Sequence, residues 1–195
     1  AVMRGATRLG EGDLRDAVRE QVDRMDRAVG YQLQRASTTG GTVIGPPIAV
    51  DAKLISVANS LRKVYVDREL SLGVHASADL MFRIDEGDLL ELAGNLMDNA
   101  CKFARTTVVT TARLESDGAL IIAVEDDGPG IESALVSTLL QRGARADPDV
   151  AGQGIGLAVV VQLVMEGHGG ALDISKSVAL GGASVVATLP AMSPS

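Results

Sequence analysis

The sequence predicts an α+β fold, a two-layer α/β sandwich with helices on one face of a mixed, largely antiparallel sheet. Three observations carry this expectation. Residues 85–104 have a helical period that buries most of their circumference. Residues 107–114 and 120–125 are apolar, β-branched runs joined across Ser116-Asp117-Gly118, which reads as a strand pair. A second helical stretch, 154–166, stops at Gly167 and is followed by two further strands at 171–175 and 183–189.

The remaining elements follow in chain order. Leu14, Val18, Val22, Met25, Val29, Leu33 and Ala36 keep three-and-four spacing with polar residues between them, so residues 13–36 read as a long amphipathic helix. Asp13 after Gly12 is a suitable cap, and residues 1–9 fit the tail of an antiparallel helix joined through Gly10-Glu11-Gly12. Such a hairpin cannot bury its seam alone, which predicts pairing in a homodimer; packing on its own domain is the alternative. Thr, Gly and Pro across 38–47 mark a linker and a domain boundary. Residues 50–65 then read as a helix and 70–74 and 80–84 as short strands. Asp85 and Glu86 suit the positive end of the helix that follows. Residues 133–151 are mixed around a polar centre, Arg142-Gly143-Ala144-Arg145-Ala146-Asp147-Pro148-Asp149, and read as a mobile lid.

A chain of 195 residues allows one good-sized domain with an appendage, and 46% apolar content supplies its core. Aromatics make up 2% and Trp is absent, so the core is aliphatic and offers no stacking platform for nucleic-acid bases. A net charge of -7 also argues against nucleic acid, whose backbone needs clustered Lys and Arg. Cys101, the only cysteine, lies on the apolar part of a helix and reads as a core thiol in a reducing compartment. No run reaches the roughly 18 to 20 apolar residues of a membrane span and no signal peptide is visible, so a soluble, cytoplasmic chain is expected.

The chemistry is concentrated on the helix at 85–104. Glu91, Asn95, Asp98, Asn99 and Lys102 span about 100° of its circumference, while Leu89, Leu90, Leu92, Ala93, Leu96, Met97, Ala100, Cys101 and Phe103 fill the rest. Asn is a mediocre helix former that competes for backbone hydrogen bonds, so two of them at i and i+4 need a reason. They either satisfy neighbouring backbone or face a ligand, and two glycine motifs downstream favour the ligand. Asp126-Asp127-Gly128-Pro129-Gly130 ends an apolar strand, where a carboxylate can accept from an exocyclic amine such as adenine N6. Gly128 and Gly130 permit positive φ and close approach of backbone to a planar base, although such sequences also make plain turns and calcium loops. Gly152-Gln153-Gly154-Ile155-Gly156-Leu157 opens a helix whose free N–H groups can receive phosphate. A polar lid precedes it instead of a parallel strand, unlike a Rossmann motif, and it lacks the Gly-Lys-Ser or Gly-Lys-Thr ending of a P-loop.

The order amide helix, Asp-x-Gly-x-Gly after a strand, lid, then Gly-x-Gly-x-Gly into a helix resembles the catalytic domain of the GHKL superfamily over about residues 48–190. That superfamily comprises histidine kinases, Hsp90 chaperones, type II topoisomerases and MutL. Asn95-Leu96-Met97-Asp98-Asn99-Ala100-Cys101-Lys102-Phe103 is similar to the kinase N box, residues 126–130 to the G1 box and 152–156 to the G2 box. Val22-Asp23-Arg24-Met25, residues 30–36, 98–102 and 152–159 look particularly like PhoQ-type sensor kinases.

The resemblance implies a Bergerat ATP-binding catalytic domain over 48–195, a linker over 38–47 and, over 1–37, part of a dimerisation and phosphotransfer hairpin. It implies that Asn95 ligates Mg²⁺ with Gln153 nearby, and that Asn99, Lys102 and the lid residue Arg145 reach the phosphates of ATP. Asp126 would hold the adenine amine, with Gly128 and Gly130 beneath the base and Phe103 beside it; Gly152, Gly154, Gly156 and Leu157 belong to the G2 box. Mg²⁺, Lys102 and Arg145 would offset charge during phosphoryl transfer.

Two departures stand out. Leu139-Leu140-Gln141-Arg142-Gly143 occupies the stretch where the family often carries the Phe of its F box, so lid docking is expected to differ. The H box with its phosphoacceptor is absent, and His75 and His168 both read as structural. The resemblance therefore implies the cytoplasmic portion of an inner-membrane sensor, beginning just past the acceptor and not self-phosphorylating. Its γ-phosphoryl group would go to a histidine supplied in trans and then to a PhoP-like response regulator. Two rivals remain: a GHKL ATPase of another class, for which Glu91 one turn before Asn95 would be the catalytic carboxylate, and a non-enzymatic nucleotide-binding regulatory module.

Overall fold

The computed structural model describes residues 45–131, 136 and 155–191. They belong to a compact unit spanning Ile44–Ser195. The hairpin expected at 1–37, most of the linker, the lid apart from Val136, Arg145 and the glycine-motif residues Gly152, Gln153 and Gly154 lie outside the described residues.

The described elements run β1 (Ile48–Ala49), α1 (Val50–Val64), a 3₁₀ turn (Val66–Arg68), β2 (Ser71–Ala76), β3 (Met81–Phe82), α2 (Glu86–Phe103), β4 (Thr107–Leu114), β5 (Leu120–Asp126), α3 (Ile155–Val161), a π-helical turn (Gln162–Gly167), β6 (Ala171–Lys176) and β7 (Ala183–Leu189). Five strands form one sheet in the order β2-β4-β5-β7-β6. β2 pairs parallel with β4, and the other pairs are antiparallel, which is the mixed sheet the sequence predicts. The two short strands expected at 70–74 and 80–84 part company: β2 joins the main sheet, whereas β3 pairs with β1 in a separate ribbon.

Alternation along the strands decides which face is covered. Val108, Thr110 and Ala112 of β4, Leu120, Ile122 and Val124 of β5, and Val185, Ala187 and Leu189 of β7 are buried. α2 lies over β4 and β5 and packs on both α1 and α3. It buries Leu89, Leu92, Ala93, Leu96, Met97, Ala100 and Cys101, and each leucine contributes about 1.5–3 kcal/mol of transfer free energy. Its first turn is capped by Asp85, whose side chain accepts from the N–H groups of Gly87 and Asp88. Its last turn is closed by Arg68, which donates to the carbonyls of Cys101, Lys102 and Ala104 at 2.7, 2.8 and 2.7 Å. A guanidinium there also meets the negative end of the helix dipole.

The helix expected over 154–166 corresponds to α3 and its π-helical continuation. The N–H of His168 bonds the carbonyl of Leu163, five residues back, at 3.1 Å. The widened turn buries Leu163 and Val164 side by side and sets His168 Nε2 2.9 Å from Asp88 Oδ2. His168 thus ties the end of this helix to the first turn of α2, in keeping with its expected structural role. His75 is exposed on β2.

Candidate nucleotide-binding site

The inward alternation of β5 delivers Asp126 to the covered side of the sheet at the strand's end, where it is 4% exposed. A polar group buried at such a position needs hydrogen-bond partners. Its Oδ1 accepts from Gly128 N at 2.8 Å and Ala183 N at 3.2 Å, and its carbonyl accepts from Gly182 N at 3.1 Å. Both side-chain bonds fall on Oδ1, so Oδ2 is left for a further donor.

The glycines around it are held by protein contacts. A Cβ at Gly128 would run into the Phe103 carbonyl and Asp126 Oδ1, and one at Gly182 into the carbonyl of Asp126. Gly130 sits at φ +84, as expected, but Gly128 does not adopt positive φ; close approach to the Phe103 carbonyl is what demands glycine there. Asp127 points elsewhere. Its carboxylate accepts from the backbone N–H groups of Arg105, Thr106 and Thr107 and from the Thr106 hydroxyl. Partial burial opposes ionisation, but these donors outweigh it and hold the group well below the usual carboxylate range.

On α2 the polar stripe divides into two parts. Asn95 donates through Nδ2 to the Glu91 carbonyl at 2.8 Å, and a Cβ at Gly156 would stand 3.1 Å from Asn95 Oδ1. The stripe and the start of α3 are therefore neighbours, and glycine at 156 leaves room for the amide. Asn99, one turn on, is partly exposed. Asp98 faces α1: Tyr65 donates its hydroxyl to Oδ1 at 2.8 Å, while Lys102 pairs with Oδ2 at 2.7 Å. Burial, reinforced by the Asp98 hydrogen bond and charge, holds the Tyr65 phenol above its ordinary pKa.

Phe103, read as part of the apolar remainder, is 41% exposed because the chain leaves the core at this last turn. Leu157 is buried and anchors α3. Cys101 is a fully buried thiol pushed up to about 11, first by burial and then by the Asp98 charge, so it stays protonated. Among the described residues no cluster of three or more His, Cys, Asp or Glu could hold a metal ion. The amide oxygen of Asn95 is a donor of a different kind.

Asp126, Gly128, Gly130 and Phe103 thus gather at one end of the sheet, and Asn95 meets Gly156. Sequence reasoning missed the separate task of Asp127, the backing of Asp126 by Gly182 and Ala183, and the bracing of α2 by Tyr65 and Arg68. The Gly181-Gly182 pair before β7 was a usable signal. Tyr65 and Arg68 carry none, since their partners are far away in sequence.

Comparison with known proteins points the same way. Residues 84–193 match the family described as histidine kinase-, DNA gyrase B-, and HSP90-like ATPase. The sensor protein PhoQ of Escherichia coli (strain K12) is 35% identical over 163 residues, which cover 83% of this chain and 33% of PhoQ. The chain thus spans about a third of the length of that relative. The ATP-binding domain of PrrB from Mycobacterium tuberculosis superposes with a TM-score of 0.61 at 26% identity, covering 76% of this chain and 98% of that domain. Full-length ShkA, solved in complex with AMPPNP, superposes with a TM-score of 0.69 at 25% identity, covering 97% of this chain and 41% of ShkA.

Proposed function

The chain belongs to the histidine kinase-, DNA gyrase B-, and HSP90-like ATPase family, and from that premise we propose that it is the ATP-binding catalytic portion of a PhoQ-like sensor histidine kinase. The observation that carries the reading is Asp126, a buried carboxylate at the end of β5 with Oδ1 saturated by backbone and Oδ2 free to accept from the exocyclic amine of adenine. The Phe103 carbonyl lies against Gly128 at the end of α2, and Asn99, partly exposed one turn before Phe103, would contact the phosphates. Lys102, held by Asp98 in this structure, together with Arg145 of the lid would supply positive charge to them. Gly152, Gln153 and Gly154, which precede α3 in the sequence, would receive the phosphates on their N–H groups.

The donor set fits a hard cation. Asn95 donates one amide N–H to the Glu91 carbonyl, and Oδ1 would serve as an oxygen donor for Mg²⁺ together with Gln153. When bound, that ion neutralises charge on the phosphates. Transfer would break the bond from the β,γ-bridging oxygen to the γ-phosphorus and join that phosphorus to an imidazole nitrogen, with ADP leaving. The acceptor would be an H-box histidine on a helical hairpin of the dimeric parent, an inner-membrane sensor, and a PhoP-like response regulator would take the group from it. No helix among the described residues is long and apolar enough to cross a membrane.

The test mixes the chain with ATP labelled at the γ-phosphate and a separately made H-box hairpin. Acid-labile label on the hairpin, with little on the chain itself, is expected. ATP hydrolysis without transfer would favour the clamp-type ATPase, and binding without turnover a regulatory module.

A further inference from the structure

We propose that Asp127 is the positioning residue of the adenine end of the site, tying the loop that leaves α2 to the strand end that carries Asp126. The proposal rests on the adenine-binding role given to Asp126.

The ladder between β4 and β5 ends at the pair Val108↔Asp126. Beyond it only the bond from Asp127 N to the Thr107 carbonyl, at 3.2 Å, continues the backbone pairing. The side chain of Asp127 takes over from there. Oδ1 accepts from Arg105 N at 2.7 Å, Thr106 N at 3.0 Å and Thr107 N at 3.1 Å. Oδ2 accepts from Thr106 Oγ1 at 2.7 Å and Thr106 N at 3.1 Å. One carboxylate thus fixes three consecutive residues of the loop between α2 and β4.

Both ends of that clamp lead directly to the site. On one side, Phe103 precedes Arg105 by two residues, and its carbonyl lies where a Cβ of Gly128 would be. On the other, Asp127 separates Asp126 from Gly128, whose N–H fixes Oδ1 of Asp126. The clamp therefore sets how far the last turn of α2 stands from the Asp126 carboxylate, the gap a purine would occupy. Both oxygens of Asp127 are spent on the loop, which separates its task from that of its neighbour.

The geometry calls for acceptor oxygens more than for charge. In Asp127→Asn the amide oxygen can still accept the three backbone N–H groups, and the amide nitrogen can donate to the Thr106 hydroxyl. In Asp127→Ala all of these bonds are lost.

Calorimetric titration of the 195-residue chain with ADP and with adenosine tests the idea, alongside thermal melts of each variant. Asp127→Ala is expected to raise the dissociation constants for both ligands by the same factor, about tenfold, and Thr106→Val by about threefold, while Asp127→Asn stays within about twofold of the parent. A purely stabilising residue would lower the melting temperature and leave both constants unchanged below it. Unchanged constants in folded Asp127→Ala or in Thr106→Val, while Asp126→Ala loses binding, would overturn the positioning role and leave the site standing. Failure of Asp127→Asn to rescue would also overturn it. A parent chain that binds neither ligand overturns the adenine site and the proposal together. Thr106→Val removes a single hydroxyl, so the question stays decidable if Asp127→Ala does not fold.

Discussion

The Tyr65 hydroxyl donates to Asp98 Oδ1 at 2.8 Å, and the other oxygen of that carboxylate holds Lys102 at 2.7 Å. Asp98, one of the two acidic residues of the α2 stripe, is therefore engaged within the protein. Tyr65→Phe removes the donor and leaves Asp98 short of a partner at a partly buried position, which should cost about 1–2 kcal/mol of stability. The folded-state pKa of Tyr65 is raised, so the contribution of its hydroxyl is present below the unfolded pKa of about 10 and is lost as pH climbs above it. Urea unfolding at about pH 8 and about pH 11 checks both points. The difference between parent and variant should shrink at the higher pH, and a constant difference would contradict the assignment.

Asp127 has the opposite sign. Its folded-state pKa is depressed, so its ionised form contributes stability above the unfolded carboxylate pKa of about 3.9, and that contribution is lost as pH falls through the folded-state value. Asp127→Asn keeps the geometry without the charge. Parent and variant should differ by a constant amount at neutral pH and converge progressively below about pH 4 in chemical denaturation. Curves that stay parallel into acid would show that the hydrogen bonds of this carboxylate do not depend on ionisation.

Where periodicity was long the fold was legible. The pair β4 and β5 was readable because seven or eight residues alternate on each side of an Asp-Gly turn, with Gly118 at φ +82. α2 was readable from its apolar circumference and from Asp85 and Glu86 at its positive end, although the capping bonds of Asp85 were not. β1 has two residues and offers no alternation to detect. The widening of the last helix into a π turn depends on packing of Leu163 and Val164 and on His168 reaching Asp88, none of which leaves a local mark. At the site, the motifs signalled Asp126, Asn95 and Asn99. The Tyr65 and Arg68 braces were hidden because each bridges more than thirty positions, from Tyr65 to Asp98 and from Arg68 to Cys101.

Glycine substitutions should sort by what surrounds each one. Gly182→Ala would drive a methyl into the Asp126 carbonyl and carboxylate, so a loss of about 2–4 kcal/mol and weakened ADP binding are expected. Gly94 lies within α2, and a methyl added there would meet nothing within 4 Å, so Gly94→Ala should add about 0.5–1 kcal/mol. Thermal melts of the two variants should move in opposite directions.

Arg68 joins three carbonyls at the end of α2 through one planar group, a geometry that a lysine ammonium cannot reproduce. Arg68→Ala should destabilise by about 2 kcal/mol, and Arg68→Lys should recover less than half of that. Guanidinium unfolding gives the numbers. Full recovery by lysine would mean that charge at the helix end matters and the fork does not.

Asn95 offers the sharpest division between binding the base and binding the phosphates. Its amide nitrogen donates to the Glu91 carbonyl and its oxygen looks toward Gly156, so what it can offer a metal ion is a neutral oxygen donor. Asn95→Ala removes that donor, and Asn95→Asp keeps an oxygen but adds charge. If Asn95 holds Mg²⁺, the alanine variant should lose the gain in ATP affinity that Mg²⁺ gives, by about 1.5–3 kcal/mol, while adenosine binding in the absence of metal stays as in the parent. The aspartate variant should retain the metal dependence. Titrations with and without Mg²⁺ measure the difference directly. Equal loss of adenosine and ATP binding in Asn95→Ala would instead make Asn95 a support for the helix, since only a collapse of the whole pocket would affect a ligand that lacks phosphates.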